Sequence, residues 1–153
     1  MIEQRLQALG LVLPAATPPL YNYVPVTVFQ RVAYVSGQVP RDAAGAVLNP
    51  GKVGADVSVE AAQAAARVCV LQALSQLKLE LGSFERIERA LKLTGFVNAA
   101  AGFIAAPTVI DAASQLLIDV LGDAGKHARS ALGVYELPRG SCVEIEFTFA
   151  LRD

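Results

Sequence analysis

The last quarter of the chain contains an alternating run, Val143-Glu-Ile-Glu-Phe-Thr-Phe-Ala-Leu151. Successive side chains of a β-strand point to opposite faces, so this run predicts a strand with one continuous apolar face. The opposite face carries Glu144, Glu146 and Thr148. A strand of this kind fits a sheet that packs against the core on one side and is open on the other.

A second alternating run, Arg129-Ser-Ala-Leu-Gly-Val-Tyr135, precedes it, and the turn-forming sequence Leu137-Pro-Arg-Gly-Ser141 separates the two. We expect an antiparallel hairpin in which Tyr135 pairs with Cys142. This register puts Arg129 and Glu144 on one sheet face, about 10 Å apart. A small anionic ligand could bind between them; alternatively, both are solvent-facing residues of an exposed sheet.

The composition indicates one domain, residues 1–153, with more apolar surface than a small monomer needs. Hydrophobic residues make up 54% of the 153 residues and charged residues only 18%, so part of the surface is expected to contact another subunit. The formal net charge is −1, and lysines and arginines do not cluster, so no nucleic-acid partner is expected.

The sequence predicts neither a metal site nor a membrane segment. Cys69 and Cys142 are far apart and His127 is the only histidine, so no metal is expected. The amino terminus has charged and polar residues where a secretory signal needs an apolar run. Every apolar stretch is interrupted before it reaches membrane-spanning length. These features predict a cytoplasmic protein.

Strand and helix signals follow the order β-β-α-β-α-β-β after a short helix and linker at residues 1–19. A hairpin with its turn at Gln30-Arg31 is followed by a loop at residues 40–57. A third strand is predicted at residues 86–98. This order predicts an α+β fold with the helices on one face of a mixed sheet.

Two main helices are predicted from their end signals. Ser58 begins the first and Gly82 ends it. The second covers residues 108–121, where Thr108 and Asp111 have the spacing of a capping box.

Four segments resemble the signatures of the RidA (YjgF-like) family of enamine/imine deaminases. They are Tyr23-Val-Pro, Tyr34-Val-Ser-Gly-Gln-Val-Pro40, Ala128-Arg-Ser-Ala-Leu-Gly-Val-Tyr-Glu-Leu-Pro138 and Val143-Glu-Ile-Glu146. The resemblance covers residues 20–151, and its carboxy-terminal motif is the most specific part. The extended amino terminus and the insertion Gly51-Lys-Val-Gly54 are similar to a longer subgroup, which is often labelled endoribonuclease L-PSP.

The resemblance implies a chorismate-mutase-like fold of the bacillar type, assembled as a homotrimer with ligand clefts between subunits. It also implies hydrolysis of reactive 2-imino acids, such as that from 2-aminoacrylate, to 2-keto acids and ammonia without a cofactor. The partner would be a small carboxylate metabolite. Arg129 would grip its carboxylate, Glu144 would activate water, and Tyr23 would close the cleft. Ser36, Gly37 and Ala131 would line the ligand.

Two departures from the family pattern bear on the substrate. Ala131 stands where many of these deaminases have a cysteine, so no thiol is available there. Asp111 stands where relatives often have an asparagine; it either caps its helix or indicates a different ligand. His127 could donate a hydrogen bond in the cleft or be structural.

Two other functions fit the same resemblance. One is a non-catalytic trimeric sensor that binds 2-keto acids or related metabolites in the same cleft. The other is the endoribonuclease activity of the subgroup's label.

Overall fold

The computed structural model describes all 153 residues, which form one mixed sheet with helices on one face. The strands are β1 (Val26–Phe29), β2 (Val32–Gln38), β3 (Ile87–Asn98), β4 (Ala128–Val134) and β5 (Val143–Leu151). The helices are α1 (Ile2–Ala8), α2 (Val59–Leu81) and α3 (Ala106–Leu121). The predicted α+β class and the element order are therefore confirmed.

The strand order is β1-β2-β5-β3-β4. All neighbouring pairs are antiparallel except β3 and β4, which run parallel. Parallel neighbours need a crossover connection, and α3 supplies it. Strand β4 therefore forms one edge of the sheet and pairs with β3 alone.

The alternation of β5 is observed as the sequence predicts. The side chains of one face are buried against the helices, and those of the other face are not. A similar alternation occurs in β3, where Leu93 is fully buried between the partly exposed Lys92 and Thr94. The buried members of β5 are Val143, Ile145, Phe147, Phe149 and Leu151.

The long helix α2 has the ends that the sequence predicts. Ser58 Oγ accepts from the backbone N–H of Ala61 at 3.1 Å, which satisfies one of the free donors of the first turn. Gly82 ends the helix at φ 78°, a left-handed conformation that favours glycine.

The capping box predicted at Thr108 and Asp111 is wrong. Helix α3 already begins at Ala106, with Ala105 as its N-cap and Pro107 in the first turn. Proline is well suited to this position because it has no N–H to leave unsatisfied. Thr108 therefore lies inside the helix, and the Asp111 side chain is free for another partner.

The predicted hairpin of the last two strands is also wrong. Strands β4 and β5 run antiparallel, but β3 lies between them. The connection crosses the end of β3, where the backbone of Asn98 bonds to Cys142 and its side chain to Ser141. Arg139 and Gly140 turn the chain with φ of 60° and 70°.

Residues before β1 are tied to α2 and α3. Ser75 Oγ donates to the carbonyl of Pro14 at 2.7 Å, and Gln76 Nε2 donates to that of Thr17 at 2.8 Å. Leu6 of α1 is buried in the core. The amino-terminal segment is therefore packed onto the fold. None of the helices combines the length and the apolar character needed to cross a membrane.

Gly95 of β3 allows α3 to approach the sheet. A Cβ at this position would lie 2.6 Å from Ile110 Cδ1 and Cγ1, and Ile110 is fully buried. We expect Gly95→Ala to lower the free energy of unfolding by about 1–3 kcal/mol, the usual cost of overpacking a core. Urea unfolding measures it. Gly133→Ala on β4 is the matched control, because its Cβ would meet only Ala99 Cβ at 3.3 Å; equal losses in both variants would contradict this account.

Candidate active site

Arg129 lies on the edge strand β4, and its side chain turns toward α3. Nη1 donates to Asp111 Oδ1 at 3.1 Å and to Ser114 Oγ at 3.2 Å. The side chain makes no other hydrogen bond within the chain, so the N–H groups of Nη2 and Nε are free. It is 26% exposed. A free guanidinium edge is the part that binds a carboxylate through two parallel hydrogen bonds.

A series of hydrogen bonds supports Arg129 from the helix side. The carbonyl of Gly125 lies 2.6 Å from His127 Nδ1 and can only accept, so Nδ1 carries the proton. In the neutral ring Nε2 then accepts from the Ser114 hydroxyl, 3.0 Å away. The Ser114 oxygen in turn accepts from Arg129. The three bonds run in one direction and hold the guanidinium in one orientation.

Sequence reasoning missed Ser114, which is only 8% exposed. A signal was present, because Ser114 lies three residues after Asp111 and therefore on the same helix face. His127 likewise precedes Arg129 by two residues and shares its side of the chain. His127 thus contacts the site through Ser114.

Glu144 lies on the open face of β5, beside an irregularity in the pairing with β2 between Val35 and Gln38. Gly37 lies in this irregular stretch, and a Cβ there would be 2.9 Å from Glu144 Cδ. Glycine therefore leaves the space that the carboxylate occupies. Burial raises the pKa of the Glu144 carboxyl above its usual value, and the nearby charge of Glu146 raises it further.

Ser36, which precedes Gly37 on β2, has an unpaired polar atom. Its Oγ is buried without a hydrogen-bond partner, as is Oε1 of Gln38. Ser36 also lines an open-face cavity of about 280 Å³ with Lys92 and Glu146. An unpaired buried hydroxyl costs free energy unless a ligand or water satisfies it.

The prediction that Arg129 and Glu144 share a sheet face is wrong. Arg129 pairs with Leu93, whose side chain faces the helices. Glu144 pairs with Phe96, which lies three residues along β3 and therefore points to the opposite face. The two side chains therefore point to opposite faces of one sheet. Within one chain, a small ligand cannot touch both.

Tyr23 and Ala131 lie near different parts of this arrangement. Tyr23 precedes β1 and is 47% exposed. Ala131 lies on the same face of β4 as Arg129 and packs against the core. The eight predicted site residues thus divide between the β4–α3 side and the β2–β5 side, with Tyr23 before β1. The β4–α3 group is Asp111, His127, Arg129 and Ala131; the β2–β5 group is Ser36, Gly37 and Glu144.

Lys52, in the Gly51–Gly54 insertion, joins the ends of two strands. Its Nζ donates to Asn98 Oδ1 at 2.8 Å and to the carbonyl of Tyr135. It also lies 3.4 Å from Glu136 Oε1 and 4.9 Å from the centre of the Tyr135 ring. The insertion therefore holds Tyr135, the residue that follows β4 and lies six positions beyond Arg129.

No three His, Cys, Asp or Glu side chains lie close enough together to hold a metal ion. Both cysteines are unpaired and buried, and burial raises the pKa of the Cys69 thiol. A buried thiol of this kind is a poor nucleophile.

The chain matches a family model over residues 3–150, and that model is described as YjgF/chorismate mutase-like, “putative endoribonuclease”. It is 41% identical to Protein TCP17 of Trypanosoma cruzi over 146 residues, covering 95% of this chain and 91% of that protein.

Two crystal structures have nearly the same fold. Protein Atu1372 of Agrobacterium tumefaciens, described as having unknown function, is 42% identical with a TM-score of 0.91, covering 99% of this chain and 92% of that chain. A protein of Shewanella oneidensis, described as a “putative endoribonuclease”, is 34% identical with a TM-score of 0.94, covering 99% of both chains.

Proposed function

The chain belongs to the YjgF/chorismate mutase-like family, and from this premise we propose that it is a hydrolytic deaminase of reactive 2-imino acids and their enamine forms. The observation that carries the proposal is the free edge of Arg129. Asp111 and Ser114 hold Nη1, and Nη2 and Nε remain available for a carboxylate. The products would be a 2-keto acid and ammonia.

Glu144 is the group proposed to activate water. A general base works best when its pKa lies near the operating pH, and burial moves the pKa of Glu144 in that direction. No hydrogen bond within the chain satisfies this carboxylate, so it can accept one from a water. Ser36, whose hydroxyl is unpaired, lines the open-face cavity with Glu146 and offers a further polar group there.

The chemistry needs these groups and one water. The enamine tautomerises to the imine, and the water oxygen bonds to C2 while the C=N electron pair moves to nitrogen. Glu144 accepts a water proton and returns it to the nitrogen. The hydroxyl proton then passes to the nitrogen as the C–N bond breaks, so ammonia leaves with the bonding pair and the oxygen forms the C=O bond of the keto acid. Holding the carboxylate and aligning the water lower the barrier.

We further propose that the working site lies between subunits of a homotrimer. Arg129 and Glu144 point to opposite faces of one sheet, so a ligand that touches both must contact two chains. The unpaired edge of β4 and exposed apolar side chains near it support an interface there. These side chains include Leu132, which is 50% exposed, and Tyr135, which is 84% exposed.

An RNA substrate has less support. The relatives' names suggest ribonuclease activity, but the formal net charge here is −1, and the open face carries Glu144 and Glu146. A ribonuclease must approach phosphates, which basic side chains normally attract. The purified protein is therefore expected to leave RNA uncut at low salt.

The proposed function is tested by ammonia release. An amino-acid oxidase generates 2-imino acids in situ, and the wild-type protein is expected to accelerate their conversion to 2-keto acids. A folded oligomer that gives no acceleration across a range of imino acids would refute the deaminase proposal. Binding of 2-keto acids without any acceleration would instead support the non-catalytic metabolite sensor.

A further inference from the structure

Asp111 places a fixed negative charge beside the proposed carboxylate anchor. Its Oδ1 accepts from Arg129 Nη1 at 3.1 Å, while Oδ2 has no hydrogen-bond partner within the chain. The Asp111 side chain is 75% exposed. The rim of the site therefore presents donors and acceptors next to each other: the free N–H groups of Arg129 and the free carboxylate oxygen of Asp111.

A simple carboxylate does not suit such a rim. Its oxygens would bond to Arg129 but would also approach the Asp111 carboxylate, and like charges at short range repel each other. A ligand that carries a positively charged N–H beside its carboxylate satisfies both residues. In a 2-imino acid protonated on nitrogen, the iminium group is attached to the carbon next to the carboxylate.

We propose that Asp111 recognises the substrate nitrogen and makes the site selective for 2-imino acids bound as iminium zwitterions. This inference rests on the proposed deaminase function and names the form of the substrate. The imine takes its proton from solvent before binding, and Asp111 accepts a hydrogen bond from the iminium N–H without gaining a proton. Overall, the iminium zwitterion and water give the 2-keto acid anion, ammonia and one proton.

The proposed contact between Asp111 and the iminium N–H also makes the site bind the substrate more tightly than the product. The iminium is the more electrophilic form of the C=N bond, and the Asp111 charge favours it. After hydrolysis the nitrogen has left, and the keto acid has no N–H to offer Oδ2. Only the repulsion between two carboxylates remains, which favours product release. Asp111 therefore acts as a specificity-determining residue.

Binding of stable mimics tests this assignment. Alanine is a zwitterion with a nitrogen on C2, and pyruvate is the corresponding keto acid. Calorimetry on the wild-type oligomer is expected to show tighter binding of alanine than of pyruvate. In Asp111→Asn this preference should fall by about tenfold, which corresponds to about 1.4 kcal/mol, mainly through tighter binding of pyruvate.

Asp119→Asn is the matched control. It removes the same charge from the same helix, but the Asp119 carboxylate bonds to Gln115 at 2.8 Å and has no contact with Arg129. The control should keep the wild-type preference. An unchanged preference in Asp111→Asn, equal shifts in both variants, or no binding of either mimic to the wild type would each overturn the inference.

Kinetics distinguish failure of the inference from failure of the proposed function. If the wild type hydrolyses imino acids, Asp111→Asn should raise KM and weaken inhibition by alanine relative to pyruvate. Turnover with an unaltered KM and inhibition pattern overturns the role of Asp111 and leaves the deaminase proposal intact. If the wild type shows no turnover but binds alanine more tightly than pyruvate in an Asp111-dependent manner, the deaminase proposal fails. The role of Asp111 then stands, because the site still binds zwitterions.

Discussion

The Glu144→Gln protein is expected to lose at least about a hundredfold in the rate of imine hydrolysis, the usual contribution of a general base. Glutamine has nearly the same shape but cannot accept a proton from the attacking water. Binding of the substrate carboxylate depends on Arg129, so KM should change little. Single-turnover ammonia release separates the two parameters. Wild-type kcat in this variant would contradict the role of Glu144 as the base.

The same variant is expected to be more stable than the wild type at neutral pH. Because the pKa of Glu144 is raised in the folded protein, the ionised carboxylate costs stability once the pH rises through the interval between its ordinary and its raised pKa. Below that interval the carboxyl is protonated in both states, and the cost disappears. The advantage of glutamine should therefore be present at pH 7 and absent at about pH 3.5.

Urea unfolding at both pH values measures this advantage. Glu88→Gln is the control, since Glu88 is exposed at the start of β3. A Glu144→Gln protein that is less stable than the wild type at pH 7 would show that the charge is satisfied in solution by a partner. An increase in stability together with a loss of turnover is typical of an active-site residue that is retained for activity at a cost in stability.

Arg129→Ala is expected to weaken substrate binding by about a hundredfold or more, because two charge-assisted hydrogen bonds to a carboxylate are lost. The effect should appear mainly in KM. Arg129→Lys should recover only part of it, since an ammonium keeps the charge but not the planar pair of donors. Steady-state ammonia release with both variants gives the comparison.

Arg31→Ala is the matched control for the loss of an arginine. Arg31 pairs with Asp153 at 3.6 Å, and both side chains are largely exposed, so this variant should keep wild-type kinetics. The folding of Arg129→Ala should also be intact, because its partner Asp111 is exposed and Ser114 keeps its bond to His127. A folded Arg129→Ala protein with unchanged KM would exclude Arg129 as the carboxylate anchor.

Local sequence signals predicted the elements of this fold well. The alternation of β5 identifies its buried face, and Ser58 and Gly82 define the ends of α2. These features depend on residues close together in sequence, where side-chain periodicity and end signals act directly. The family resemblance added the overall architecture, which local signals alone leave open.

Strand neighbours and site geometry could not be read in the same way. The alternation of β4 is the same whether its partner is β5 or β3, so the sequence pattern did not reveal that β3 lies between them. This single error put Arg129 and Glu144 on one face. The bond from Arg129 to Ser114 joins residues 15 apart through a helix crossover, and no local pattern specifies such a contact.

The insertion that carries Lys52 has a consequence for the order in which the molecule assembles. Its contacts with Asn98 and Tyr135 join residues 46 and 83 positions apart, so we expect them to form only after β3 and β4 have paired. Contacts of this kind carry a high loop-closure entropy and form late in folding. Contacts that are absent from the folding transition state mainly slow unfolding and have little effect on the rate of folding. We therefore expect the lifetime of the folded site to depend on this loop, although the loop contributes no group to the proposed chemistry.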